Sequence, residues 1–221
     1  MKTLKLTAKD FKYTDSHYKE YCGKADVSDY EGNIEIEGGL SYVFFKKLSA
    51  KGYILAEAGT SIEAGWGIEA GKGIEAGWCI KAGWCIKAGW CIEAGTGIEA
   101  GTSIEAGWGI KAGEGIKAGT SIKAGWGIEA GWCIEAGKGI EAGLSITCKL
   151  VLSFSIKAFA GICTWRELNG DEEKTITCGR KEGDGIVEYG ILKEIGIPNE
   201  EPKTTGCGDI IEINGVKYKK L

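Results

Sequence analysis

Among the residues of this chain that could be reactive or bind a metal are nine cysteines. An odd number of cysteines without an export signal predicts reduced thiols rather than a disulfide framework. Cys79, Cys85 and Cys91 follow one another at intervals of six residues, a spacing that fits neither a CxxC zinc site nor a disulfide. We interpret them as small residues in a tight position and expect no metal ion or cofactor. Cys178 and Cys207 could pair or bind a metal, but their spacing requires neither.

Acid–base catalysis has few candidate groups in this sequence. His17 is the single histidine, and it lies in a polar stretch with Asp10 and Asp15. These three residues could form a site, but a solvated turn is the simpler interpretation. The chain also lacks a glycine-rich phosphate loop and the HExxH and GxSxG motifs. We therefore predict no catalytic residues and a protein that is not an enzyme.

The tryptophans are more informative because they recur at one position of a short repeat. Residues 56–145 form fifteen six-residue units, of which fourteen open with Ile and the first opens with Ala56. Each unit continues with Glu or Lys, Ala, Gly, a variable residue, and then Gly, Ser or Cys. The variable position accepts Trp, Thr, Lys and Glu, so we expect it to face solvent. When every third unit is compared, its occupants fall into three columns: Trp66, Trp84, Thr102, Thr120, Lys138; Thr60, Trp78, Thr96, Glu114, Trp132; and Lys72, Trp90, Trp108, Trp126, Leu144.

The repeat itself predicts the element that positions these tryptophans. Ile, Glu or Lys, and Ala at successive positions point inward, outward and inward, which is the alternation of a β-strand. The Gly that follows Ala marks a bend, which we attribute to its tolerance of positive φ. A strand and a bend in every unit describe one side of a parallel β-helix, and three units, eighteen residues in all, would close a triangular coil.

The charged second position of the repeat tests that coil length independently. Residues 18 apart at this position are opposite in sign in 10 of 12 pairs, against 8 of 13 at a spacing of 12 and 7 of 11 at a spacing of 24. The third series, which begins with Glu57 and Glu75, alternates only in its second half. Because neighbouring strands stabilise each other through opposite charges, the pattern favours three units per coil.

The hexad pattern resembles that of the hexapeptide-repeat β-helix proteins, over the middle two-fifths of the chain. Those proteins place a small residue two positions before the aliphatic residue. This chain has Trp, Lys, Thr or Glu two positions before its Ile, and Ala two positions after it. The resemblance implies a left-handed coil. The near-identical repeats also resemble uncharacterised phage and Firmicute hexad-repeat proteins, and small intracellular phage proteins of this kind often disarm host or defence factors.

The chain divides into four predicted segments of an all-β protein. Residues 1–55 form an N-terminal β cap with a first irregular coil, and 56–145 form the regular β-helix. Residues 146–165 keep the six-residue spacing but lose the residue types of the repeat, which predicts one irregular last coil. Residues 166–221 form a separate polar β segment that caps the C-terminal end, with a hairpin at 210–219 around Asn214-Gly215.

Charge and hydropathy exclude several functional classes. The net charge is −4, and no run approaches the length of apolar sequence that a membrane span needs, nor is a signal peptide visible. We therefore expect a cytoplasmic protein with no membrane partner. Lys and Glu are interleaved along the shaft, so we expect no nucleic acid to bind there.

The exposed tryptophans carry the functional hypothesis. Trp90, Trp108 and Trp126 lie in consecutive coils and predict an aromatic strip that docks a protein, with a secondary set of candidates. That secondary set is Trp66, Trp84, Trp78 and Trp132. In the alternative interpretation each Trp lies flat over a neighbouring Gly and stabilises the sheet, or the strip joins copies of a homo-oligomer.

Three functions follow from these alternatives. The first is a non-enzymatic binding protein, such as a phage-encoded inhibitor of a host or defence factor. The second is a structural spacer or adhesive element of a phage particle or surface fibre. The third, a hexapeptide-type transferase, is disfavoured because the repeat contains no histidine and no extruded loop.

Overall fold

A computed structural model describes residues 1–14 and 18–197, together with the strands at 210–213 and 216–219. Asp15, His17, Cys207 and the predicted turn at 214–215 lie outside the described residues. The strands in chain order are β1 (Thr3–Leu6), β2 (Phe11–Tyr13), β3 (Lys19–Tyr21), β4 (Asn33–Ile36), β5 (Ser41–Phe45), β6 (Leu48–Ala50), β7 (Ile54–Ala56), β8 (Thr60–Ala64), β9 (Ile68–Ala70), β10 (Ile74–Ala76), β11 (Ile80–Ala82), β12 (Ile86–Ala88), β13 (Ile92–Ala94), β14 (Ile98–Ala100), β15 (Ser103–Ala106), β16 (Ile110–Ala112), β17 (Gly115–Ala118), β18 (Ser121–Ala124), β19 (Ile128–Ala130), β20 (Cys133–Ala136), β21 (Gly139–Ala142), β22 (Ile146–Cys148), β23 (Val151–Phe154), β24 (Lys157–Ala160), β25 (Thr175–Cys178), β26 (Arg180–Glu182), β27 (Ile186–Tyr189), β28 (Ile191–Glu194), β29 (Ile210–Ile213) and β30 (Val216–Lys219).

These strands form a parallel β-solenoid with three faces. Sheet A runs in the order β1-β4-β7-β10-β13-β16-β19-β22-β25-β28, sheet B in the order β2-β3-β5-β8-β11-β14-β17-β20-β23-β26, and sheet C in the order β6-β9-β12-β15-β18-β21-β24-β27. Within these three sheets the strands pair in parallel, except for β2 and β3. The predicted all-β, triangular β-helix with three units per coil is confirmed, since each regular strand pairs with the strand three units later, as Ile80 does with Ile98. Within the predicted hairpin, strands β29 and β30 pair antiparallel, and the turn between them lies outside the described residues.

The interior of the solenoid is built from the Ile and Ala of each repeat. In the regular units from Ile62 to Ala142 the Ile is at most 2% exposed, as at Ile110, and the Ala is at most 8% exposed, as at Ala106. Ile suits this role because its branched Cβ packs well on a pleated surface, and each buried Ile contributes about 1.5–3 kcal/mol. The stacked Ile columns therefore hold the coils together.

The glycine after each Ala is required for a different reason from the one predicted. Among these glycines only Gly59 has a positive φ, of 77°. At the others except Gly65, a Cβ would clash with the preceding coil: a Cβ built on Gly107 would lie 2.0 Å from the carbonyl oxygen of Gly89. Close stacking of the corners, and not a left-handed backbone, selects glycine here.

The regular register begins at Ile62 and not at Ala56. Ile54 pairs with Ile74, twenty positions along the chain, whereas Ile62 pairs with Ile80, eighteen positions along. Glu75 consequently lies beside Leu55, so the expectation that Glu57 and Glu75 are lateral neighbours is wrong. One of the two exceptions to the charge alternation is thereby removed.

The two ends of the solenoid extend the same three sheets. At the N-terminal end β2 and β3 form an antiparallel pair, and Phe11 packs edge-on against Tyr21 and Phe45 over the core. At the other end residues 161–174, which include a 3-10 turn at Asp171–Lys174, separate β24 from β25. Strands β25 to β28 then continue sheets A, B and C, where we had expected a separate segment after residue 165. None of the described helices is long and apolar enough to cross a membrane.

Candidate functional site

Two of the three tryptophan columns border the same face of the solenoid. Trp84 precedes β12 and therefore lies at the corner where sheet B gives way to sheet C. Trp90 follows β12 and lies at the next corner, between sheets C and A. Sheet C is thus framed along both edges by aromatic residues, whereas Trp78 and Trp132 lie at the third corner, between sheets A and B.

At the corner between sheets C and A the indoles form one continuous stack. Ring centroids are 5.6 Å apart for Trp90 and Trp108, with an interplanar angle of 10°, and 5.7 Å apart for Trp108 and Trp126, with an angle of 18°. Trp165 continues the stack, 5.5 Å from Trp126 at an angle of 21°. We call these four residues the long ladder. The three repeat tryptophans in it are 45–46% exposed.

Trp165 was not anticipated from the sequence because it lies outside the repeat. It comes from the 161–174 insertion, which leads back to the corner where Gly161 donates a backbone hydrogen bond to Leu144. Its neighbour Arg166 donates to both carboxylate oxygens of Glu173, at 2.7 and 2.6 Å. That pairing, with a further bond from the Asn169 amide, lowers the pKa of Glu173 to about 2. A tryptophan next to an arginine just after the last hexad was the available signal.

Both end faces of the long ladder are covered by cations. The Lys72 ammonium lies 5.3 Å from the centroid of Trp90, and the Arg166 guanidinium lies 5.1 Å from the centroid of Trp165. A cation over an indole face is attracted by the negative charge of the ring face. The long ladder therefore offers ring edges to solvent along its length and no uncovered end face.

At the corner between sheets B and C the stack is shorter. Trp66 and Trp84 are parallel, with centroids 5.5 Å apart and an interplanar angle of 11°, and they are 61% and 60% exposed. We call this pair the short ladder. The next two coils place Thr102 and Thr120 in the column, and their hydroxyls donate to the carbonyl oxygens of Trp84 and Thr102 at 2.8 and 3.0 Å. The two ladders therefore end differently.

The third corner has no ladder. Trp78 is 42% exposed and makes a tilted contact with Tyr42, with centroids 6.4 Å apart. Thr96 and Glu114 separate it from Trp132, which is half-buried. The structure thus brings together Trp90, Trp108 and Trp126, and Trp66 with Trp84, but not Trp78 with Trp132.

The long ladder is a ridge between two shallow grooves. A groove of about 820 Å³ runs along sheet C and is lined by the paired Lys87 and Glu105 among others. A second groove, of about 490 Å³, lies on sheet A along Lys111 and Glu129. Gly107 lines the first groove and Gly109 the second, so that Trp108 stands between them.

The charged side chains on all three faces are paired along the solenoid axis. Each bridge joins a Lys to the Glu at the same position of the next coil, and the partners in the regular coils are Lys81–Glu99 at 3.9 Å, Lys87–Glu105 at 3.5 Å, Lys111–Glu129 at 3.4 Å, Lys117–Glu135 at 3.1 Å and Lys123–Glu141 at 3.0 Å. Both grooves are polar as a result. The sheet C groove is lined by equal numbers of Lys and Glu, whereas the sheet A groove has Glu93 and Glu129 against Lys111.

The cysteines do not form a reactive centre in the described part of the chain. Burial raises the pKa of the Cys148 thiol to about 12 and that of Cys178 to about 11, so both thiols are protonated at neutral pH. Cys85 and Cys91 are free thiols, as expected. Cys79 is disulfide-bonded, so the expectation of reduced thiols is wrong at that position.

The described residues contain no group of three or more acidic, His or Cys side chains that could hold a metal ion. No family model, no curated protein and no solved structure matches this chain.

Proposed function

We propose that this protein is a non-catalytic binding protein that docks a protein partner on sheet C and the two ladders along its edges. The observation that carries the proposal is Trp165. Repetition of one hexad accounts for Trp90, Trp108 and Trp126, but it does not account for a fourth stacked indole supplied by an insertion. The insertion fixes this indole with the Arg166–Glu173 pair, which supports a role for the ladder beyond that of the repeat.

The composition of the face suits a protein better than a nucleic acid. Exposed tryptophans are enriched in protein interfaces and dominate their binding free energy, and the rims of such interfaces are polar. In the sheet C groove Lys87 and Lys123 each form a salt bridge with a Glu, and Lys51 forms one with Asp29. A phosphate backbone would need unneutralised positive charge along its path. The resemblance to phage hexad-repeat proteins makes a host factor the first partner to test.

A spacer function is the second candidate, and the stacking itself favours it. Aromatic pairs contribute about 0.5–1.5 kcal/mol beyond the area they bury, and the long ladder contains three such pairs along the axis of the shaft. A rigid rod that is stiffened by a stack of indoles along one corner would hold two other elements apart without binding a partner along its side.

The experiment that separates these functions is an affinity capture with the full chain from a lysate of the native host cell. The wild type is compared with the Trp90→Ala/Trp108→Ala/Trp126→Ala variant and with Trp78→Ala. The Trp78 variant is the matched control, because Trp78 is similarly exposed but lies at the corner that does not border sheet C. Far-UV circular dichroism confirms that each variant is folded.

We expect one protein to be retained by the wild type and by Trp78→Ala and to be lost with the triple variant. Equal retention by all three would place the binding site away from the long ladder. Retention of nothing, together with a multimer on a sizing column that the triple variant lacks, would favour self-association. Retention of nothing by a monomer would favour the spacer.

A further inference from the structure

The short ladder stops where the long ladder continues. Trp90, Trp108 and Trp126 occupy one column in three successive coils, and each indole covers the face of the next. In the other column Trp66 and Trp84 are followed by Thr102. Both columns follow the same register, so Thr102 stands over Trp84 as Trp126 stands over Trp108. The position directly above Trp84, where a further ring could stack, therefore holds only Thr102.

The threonines in this column are turned toward the backbone. Thr102 donates its hydroxyl hydrogen to the Trp84 carbonyl oxygen at 2.8 Å, and Thr120 does the same to Thr102 at 3.0 Å. Trp84 is 60% exposed, whereas Trp108, which has an indole on each face, is 46% exposed. Among the described residues no ring and no cation lies over the face of Trp84 that points away from Trp66. Two successive threonines leave a gap about 10 Å high, given the spacing of stacked strands.

We propose that this gap binds the aromatic side chain of a protein partner, which extends the short ladder by one ring over Trp84. The inference rests on the proposed function, because it describes an anchor on the same docking face. The protein itself supplies the precedent, since four indoles stack at centroid distances of 5.5–5.7 Å at the opposite edge of sheet C. Offset parallel stacking of this kind is a favourable geometry for aromatic pairs.

The surroundings of the gap favour a neutral ring. Lys81 pairs with Glu99 on the sheet B side, and Lys87 pairs with Glu105 on the sheet C side. A nucleotide over Trp84 would bring a phosphate to Lys81 and Lys87, which already lie beside carboxylates, and this weakens its binding. The next lysine of the column, Lys138, lies two coils above Thr102. A neutral aromatic side chain adds no charge to these pairs and buries its ring against the indole.

The test follows the eight indole N–H signals of the full chain by NMR during titration with N-acetyl-tryptophanamide. The Trp→Ala variants assign the signals. We expect the Trp84 signal to shift with a dissociation constant on the order of 1 mM, as for a single weak contact, and the Trp108 signal to stay unchanged. Thr102→Trp, which supplies the missing ring from within the chain, should abolish the response. Trp78→Ala, the control, should retain it.

Three results would overturn the proposal. The first is the absence of any shift at a probe concentration about ten times the expected dissociation constant. The second is an undiminished response in Thr102→Trp. The third is a shift of the Trp84 signal with adenosine or N-acetyl-argininamide but not with N-acetyl-tryptophanamide. The proposed function would survive all three, because its own test depends on Trp90, Trp108 and Trp126 and on a captured partner.

Discussion

The two aromatic edges of sheet C differ in what lies beyond their last ring. Both are built at the same position of the same repeat, and their rings stack at nearly the same distance, 5.5 and 5.6 Å for the pairs Trp66–Trp84 and Trp90–Trp108. The long ladder ends in Lys72 and Arg166, and the short ladder ends next to Thr102. One edge therefore exposes ring edges, and the other exposes a ring face.

This difference shows that one repeat can produce two kinds of surface without a change in the backbone. The residue at the same position of the next coil determines whether the face of an indole is covered by another ring or exposed to solvent. A closed stack contributes mainly to the stability of the shaft and presents an apolar ridge. An open stack is available to a ring from another molecule. Substitutions at the corners should separate these roles.

The largest effect is expected from Gly107→Ala, which should break the long ladder. Its Cβ would lie 2.0 Å from the Gly89 carbonyl oxygen, so the coils must move apart between Trp90 and Trp108. We expect a loss of about 1–3 kcal/mol in the free energy of unfolding, measured by urea titration. Gly109→Ala is the matched control, because its Cβ would lie 3.5 Å from the nearest atom. A similar loss in both variants would contradict the steric explanation.

The next effect is expected from the removal of one tryptophan from each ladder. Trp108→Ala removes two stacking contacts and Trp84→Ala removes one. At about 0.5–1.5 kcal/mol for each contact, we expect losses of about 1–3 and 0.5–1.5 kcal/mol in the free energy of unfolding. The same urea titration measures both. If the two losses were equal, the number of stacked neighbours would not determine the contribution of an indole.

A smaller effect concerns the end of the long ladder at acid pH. The pKa of Glu173 is lowered to about 2 from an ordinary 4.5, first by the hydrogen bonds from Arg166. A lowered folded-state pKa means that the pair contributes to stability above about pH 4.5 and that this contribution is lost as the pH falls toward 2. We expect the indole N–H signal of Trp165 to hold its position at pH 5 and to move toward that of an exposed indole near pH 2.

Glu173→Gln is the control for that titration, because it removes the titrating carboxylate. In this variant the Trp165 signal should lie near its exposed position already at pH 5, and the Trp66 signal should be unaffected. A Trp165 signal that moves with acid in the variant as it does in the wild type would show that another group controls the end of the ladder.

The shaft was predictable because its physical determinants are local and periodic. The Ile and Ala alternation determines which side chains are buried, and the charges three units apart indicate the coil length. The corner glycines show the limit of this reasoning: the sequence indicates that Gly is needed, but the carbonyl of the preceding coil, as at Gly89 below Gly107, becomes visible only once the coils are stacked. The shift of register before Ile62 escaped prediction because Ala56 and Glu57 match the repeat by chance.

The candidate site was predictable in part for the same reason. The spacing of three units placed Trp90, Trp108 and Trp126 in one column. It could not place Trp165, because a tertiary contact, not a period, brings the insertion to Trp126. Nor could it show which ends are covered, because the cation at one end, Arg166, is held by Glu173 from within the same insertion.

The smallest effect is expected from the charge ladders that the sequence made most visible. Their side chains are exposed, as in Lys117–Glu135 at 63% and 46%, so each pair contributes at most about 0.5 kcal/mol and is screened by salt. The five pairs of the regular coils together contribute at most about 2.5 kcal/mol, so raising the salt concentration from about 0.05 to 0.5 M should lower the melting temperature by no more than about 5–10 °C. The same rise should leave the difference between Trp108→Ala and Trp84→Ala unchanged, because stacking carries no net charge. A steep fall of the melting temperature with salt would mean that the paired charges, and not the buried Ile columns and stacked indoles, hold the coils together.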